Sequence, residues 1–147
     1  MELKGRLIPY IGYEDFKLYS DFSTILNQLK NKIISIVYLG YKNEIIRIDT
    51  KDSLMFFFVA ENNKLFKIRV SAGAECLLNG VSVIGLHESK LYELYPNLYY
   101  DDMEEVFETK QGVFFETDPI THCVVAANTY IEEIDDEDDK RFYDYKW

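Results

Sequence analysis

Along the chain the apolar positions change rhythm from helical to alternating, and then do so again. The first stripe is Phe22, Ile25, Leu26 and Leu29, the i, i+3, i+4, i+7 spacing of a core-facing helix. Ser20 or Asp21 suits its start and Asn31-Lys32 its end, so a helix is predicted over 21–31. A two-residue period follows. Ile33 to Tyr41 is rich in Ile, Val and Tyr, and Lys42-Asn43 makes a turn. In Glu44 to Thr50, Ile46 and Ile48 face one way and Arg47 and Asp49 the other. Ser53 to Ala60 is continuously apolar, as near the centre of a sheet. Glu61-Asn62-Asn63 turns the chain, and Lys64 to Ser71 sets Phe66, Ile68 and Val70 against Lys67 and Arg69.

Residues 72–86 read as a connection. A second helix is predicted near 88–95, with Leu91, Leu94 and Tyr95 as its stripe and Pro96 as its stop. Leu98–Asp101, Glu105–Thr109, Gly112–Asp118 and Cys123–Ile131 then read as strands. Two rounds of helix then meander predict an α+β fold, a mainly antiparallel sheet with two principal helices on one face. An echo of Ile11-Gly12 and Lys17-Leu18-Tyr19 in Ile84-Gly85 and Lys90-Leu91-Tyr92 suggests a duplicated helix-meander unit. It also sets the second helix against the segment before the first. One domain over 1–134 is expected, followed by an acidic and aromatic C-terminal segment, 135–147.

Composition narrows the class. With 48% hydrophobic residues the chain is not disordered, and 7 Gly and 3 Pro in 147 residues exclude collagen-like and linker-like classes. No secretory signal is visible after MELKGRLIPY, and Leu54 to Ala60 is too short to span a bilayer. Charge is unevenly laid out. Residues 1–74 hold 11 Lys/Arg and 8 Asp/Glu, a net of +3; residues 75–147 hold 5 and 18, a net of −13. Such acidity argues against nucleic acid and against anionic lipid as partners.

Candidate chemistry is sparse. Cys76 and Cys123 form neither a disulfide framework nor a zinc pattern, and reduced thiols in a cytoplasmic protein are expected. His122 and Cys123 are neighbours on a predicted strand and point to opposite faces, which excludes them as a nucleophile–base pair. His87 reads as an exposed residue at a helix start. No phosphate-cradling loop, calcium loop or metal cage is found, so no cofactor, no metal and no catalytic residue is assigned. What stands out is a surface. Tyr99, Tyr100, Asp101, Asp102, Glu104, Glu105, Glu108, Glu116 and Asp118 lie in one stretch, interleaved with Phe107 and Phe114. Tyrosines offer rigid contact area and carboxylates attract Lys and Arg, so these nine are the candidate contacts for a basic protein. The competing view is a core of aromatics beside a solvated acidic face.

Gly80-Val81-Ser82-Val83-Ile84-Gly85-Leu86, the helix end Leu94-Tyr95-Pro96, Tyr99-Tyr100-Asp101-Asp102 and the run Gly112 to Asp118 resemble a pattern in small bacterial immunity proteins. These are encoded beside polymorphic or contact-dependent growth inhibition toxins. The resemblance spans roughly 78–131. It implies cytoplasmic residence, no enzyme activity and tight binding to one cognate toxin domain, of which many are basic nucleases. The rival expectations are an acidic secretion chaperone that binds an effector, which would favour dimers, and an uncharacterised protein-binding module. The oligomeric state is left open.

Overall fold

The structure is a computed structural model and describes residues 4–136 and 138–147. Three two-residue strands open the chain: β1 Leu7–Ile8, β2 Gly12–Tyr13 and β3 Phe16–Lys17. Helix α1 Phe22–Leu29 follows, then β4 Ile33–Leu39, β5 Ile45–Thr50, β6 Leu54–Val59 and β7 Lys64–Ser71. The hairpin β8 Leu77–Leu78 and β9 Val81–Ser82 leads to α2 Glu88–Leu94. Then come β10 Tyr99–Asp101, β11 Val106–Glu108, β12 Val113–Thr117 and β13 Val124–Tyr130. A 3-10 turn, Glu132–Asp135, and a short helix, α3 Lys140–Tyr143, complete the chain.

The two meanders merge into one eight-stranded sheet in the order β10-β11-β12-β13-β7-β6-β5-β4, with every pairing antiparallel. The last strand of each half meets the last strand of the other, Val70 opposite Ala127. Both helices cover the same face. The row Phe115, Ala127, Val70, Leu54 crosses the sheet in register, and Phe56 and Phe58 share Leu54's side of β6. The Tyr95 ring lies 5.8 Å from Phe115 and the Phe22 ring 5.1 Å from Phe58. Ile25, Leu29 and Leu91 are the buried positions of the two helices, whereas Leu94 of the second predicted stripe turns to the surface at 41% exposure.

The duplication is real in the backbone, but its spacing is not that of the echo. Leu18 N donates to Ile11 O, Tyr19 N to Leu65 O, Leu65 N to Ser20 O, and Phe22 N to Asn63 O. The second half repeats the set: Val83 N to Cys76 O, Gly85 N to Val124 O, Val124 N to Leu86 O, and Glu88 N to His122 O. From β5 onward the halves superpose at a constant offset of 59 positions. Buried Thr50 donates its hydroxyl to Leu54 O at 3.0 Å, and buried Thr109 donates to Val113 O at 2.7 Å. The irregularity between Phe57 and Phe58 recurs between Glu116 and Thr117. Asn63 and His122 hold the same left-handed backbone, φ 58° and 60°.

Residues 72–86, expected as a connection, contain the hairpin β8–β9, and the unassigned N-terminus supplies its counterpart β2–β3. Residues 132–136 and 138–147 include side chains that pack on the domain. Ile134, Phe142, Tyr145 and Trp147 lie against the core, and the Phe142 and Trp147 rings stack at 5.6 Å. Asp135 accepts from the hydroxyls of Tyr10 and Tyr130, and Glu133 accepts from Tyr19 at 2.7 Å.

Candidate functional site

The nine candidate contacts do not share one surface. Alternation on β10 to β12 separates them, because residues that are opposite across an antiparallel ladder point to the same face. Tyr100 pairs with Phe107 and Phe107 with Phe115, so Tyr100 points to the helix-covered face. Tyr99 pairs with Glu108 and Glu108 with Phe114, so these point to the open face, as does Glu116.

Four of the carboxylates have work inside the chain. Glu116 lies 2.7 Å from Arg69 Nε and accepts from Asn128 at 3.0 Å. Burial opposes its ionisation, but those donors outweigh it and hold the carboxyl below its ordinary value. Glu108 accepts from the Tyr130 hydroxyl at 2.6 Å, and burial raises its carboxyl. Asp101 accepts from the Met103 and Glu104 amides, and Asp118 from Ile120 and Thr121, the local bonds that close turns. Asp102, Glu104 and Glu105, all exposed, remain on the turn between β10 and β11. The cations of the open face are likewise engaged. Arg47 pairs with Asp49 at 2.7 Å, and Lys67 Nζ lies 4.0 Å from the Phe57 ring.

Tyr100 and Glu105 belong to a groove that the sequence did not reveal. It has a volume of about 510 Å³ and lies between α2, the β10–β11 hairpin and the end of β12. Its floor is aromatic: the Phe107 ring lies 5.0 Å from Tyr100 and 5.9 Å from Tyr92. Glu88 and Glu105 line it with carboxylates, and His122 Nδ1 lies 3.4 Å from Glu88 Oε2. Thr117 and Pro119 complete the wall.

The duplication explains why the groove exists. Glu88 and Thr117 stand where the first half has Phe22 and Phe58, whose rings pack edge to face at 5.1 Å. Replacing two interlocked rings by a carboxylate and a hydroxyl leaves a space that the first half fills. The offsets, 66 for the helices and 59 for the strands, are the signal by which sequence reading could have found it.

His87 is exposed, as expected, and caps α2 by accepting from Ser89 N at 3.2 Å. The fold brings its ring within 6.2 Å of His122. Burial pushes the Cys76 thiol up to about 12, which removes thiolate character at neutral pH. Among the described residues no group of three His, Cys, Asp or Glu side chains is placed to hold a metal ion. No helix among them is long and apolar enough to cross a membrane.

No family model matches the chain, and neither does any curated protein. Among solved structures, a cysteine-rich secretory protein of Staphylococcus aureus is similar at a TM-score of 0.48 and 7% identity. The match covers 80% of this chain and 45% of that one, so the chain spans less than half of that protein's length.

Proposed function

We propose that this chain is a non-catalytic protein-binding domain whose groove receives a Lys or Arg side chain from a basic partner. The observation that carries the reading is the replacement of Phe22 and Phe58 by Glu88 and Thr117 at equivalent points of the second half. It opens a groove with an aromatic floor and carboxylate walls. Tyr92, Tyr100 and Phe107 offer ring surface to a cation, and Glu88 and Glu105 offer acceptors. Asp102 and Glu104 on the adjoining turn add the field that draws a positive surface inward. Neither nucleic acid nor membrane is the partner in this reading. Together with the resemblance of residues 78–131 to immunity proteins, it makes the partner a cognate toxin domain and the action a blockade of the toxin's basic surface in the cytoplasm.

The test is to restore in the second half the residues of the first. Glu88→Phe with Thr117→Phe fills the groove with the ring pair that the first half already accommodates. Association with the product of the adjacent reading frame, followed by surface plasmon resonance, should be lost while the melting temperature holds. Reversal of Asp102, Glu104 and Glu105 to Lys should slow association and abolish its salt dependence. Unchanged binding by the filled variant would reject the groove as the contact.

A further inference from the structure

The two edges of the sheet are opposites. One is β10, three residues long and followed by Asp102, Glu104 and Glu105. Short strands and charges are how sheet edges avoid unwanted pairing. The other is β4, seven residues, Ile33 to Leu39, without a charge or a proline. Its side chains Ile34, Ile36 and Tyr38 are 64%, 45% and 59% exposed.

The hydrogen-bonding direction of β4 follows from its neighbours. Glu44 O accepts from Ala60 N, so residues 44, 46 and 48 direct their main-chain groups towards β6. Residues 45, 47 and 49 therefore bond to β4, where they meet Leu39, Val37 and Ser35. This leaves the N–H and C=O of Ile36 and Tyr38 facing outward. Ile34 lies at the irregularity between Ile33 and Ser35, the extra residue that the ladder leaves unpaired.

We propose that β4 pairs with β4 of a second copy, antiparallel about a two-fold axis at Ile36, and joins two sheets into one. Ile36 then faces Ile36 of the partner, so the outward N–H and C=O of Ile36 on each strand meet those of the other. Ile36 and Tyr38, opposite Ile48 and Ile46 of β5, put exposed apolar side chains on the same side of the join. Charge does not oppose the join at its ends: Lys32 is already paired with Asp52 at 3.0 Å, and the Glu44 carboxylate folds back over Gly40, where it accepts from Lys42 N. Lys30 and Lys42 face each other only beyond the strand, in the turns. The register also holds apart the strongly negative halves of two copies with a net charge of −10 each, since β10 lies at the far edge. Pairing of β10 with β10 would instead oppose Asp101 and Asp102 across the join.

The experiment is sedimentation equilibrium of the full chain over a range of protein concentrations, with amide hydrogen exchange on the same samples. The expected mass is twice the 17.4 kDa of one chain, with exchange at Ile36 and Tyr38 slowing as dimer forms. Ile36→Pro removes an outward N–H and should give a folded monomer. Val37→Pro removes an N–H bonded to β5 and should destabilise the fold itself. Ile36→Lys, which keeps the backbone intact, should also be monomeric with an unchanged circular dichroism spectrum. A monomeric wild-type chain at millimolar concentration overturns the proposal. So does a dimer indifferent to Ile36→Lys, or a series of larger assemblies dispersed by Asp101→Lys with Asp102→Lys, which would mean β4 on β10 in open chains.

Discussion

Arg69 and Glu116 meet across the back of β13, Nε to Oε2 at 2.7 Å, and so tie the last strand of the first half to the third strand of the second. Both side chains are mostly shielded, 24% and 32% exposed, and Asn128 of the intervening strand donates to the same carboxylate. Glu116→Gln should cost about 2 kcal/mol at neutral pH, the scale of a lost hydrogen bond to a charged group. Because the folded carboxyl is held below its ordinary value, the stabilisation is present above that value and disappears as pH falls through the folded one. Urea unfolding should therefore separate wild type and variant at pH 7 and bring them together in acid. A separation independent of pH would mean that packing, not charge, is what Glu116 contributes.

The Tyr130 hydroxyl has one proton and two carboxylate neighbours, Glu108 at 2.6 Å and Asp135 at 2.8 Å. Burial, then the neighbouring Asp135 charge, act to raise Glu108 against the donors that lower it, and the net direction is upward. A raised folded value favours the native state at low pH, and that advantage is lost as pH rises through it. Glu108→Gln should be more stable than wild type at neutral pH and equal to it below the ordinary carboxyl range. Tyr130→Phe leaves both carboxylates without their shared donor and should cost about 1–3 kcal/mol. Thermal melts across pH 3–8 check both; a Gln variant less stable at every pH contradicts the assignment.

The C-terminal segment is predicted to be part of the folded unit. Phe142, Tyr143 and Tyr145 line a pocket with Ile45, Val59 and Phe66, where β5 begins, β6 ends and β7 starts back. Phe142→Ala should lower stability by about 1–2 kcal/mol, and deletion of 140–147 by more, with new binding of a hydrophobic dye. An unchanged urea midpoint after deletion would show a segment that merely lies on the surface.

At Asn63 and His122 the backbone, not the side chain, decides what is tolerated. Both sit at positive φ where β6 turns into β7 and β12 into β13. Asn63→Gly and His122→Gly should stay within about 0.5 kcal/mol of wild type, since relief of strain offsets added chain entropy. The Val variants should each lose more than about 1 kcal/mol. A His122→Val protein as stable as wild type would refute the equivalence of the two turns.

The eight strands of the large sheet were legible because each lies in a run with alternating or consecutively apolar positions. Two-residue strands such as β2 and β8 cannot display a period, and these went unread. The duplication was sought as identity and was met at the wrong spacing, where Leu18 happens to match Leu91. At the true offset the common residues are few: Thr50-Lys51 against Thr109-Lys110, and Phe56 against Phe115. The candidate site was half legible. A string of acids in sequence looked like one surface, but the pleat sends Tyr99 and Tyr100 to opposite faces and turn closure occupies Asp101 and Asp118. Glu88 and Tyr92 come from α2 and His122 from the turn before β13, and only the fold places them beside Tyr100 and Glu105.

The seam between β7 and β13 also sets a timetable. Contacts within each meander are local, whereas Val70 must wait for Ala127. While the chain is being made, the first half can close while β7 is still an unsatisfied border. Lys67 and Arg69 project from that border, and Glu116 has not yet been synthesised. Until it arrives, the uncompensated charges repel the β7 of any other nascent chain, so one arginine first discourages the wrong union and later secures the right one.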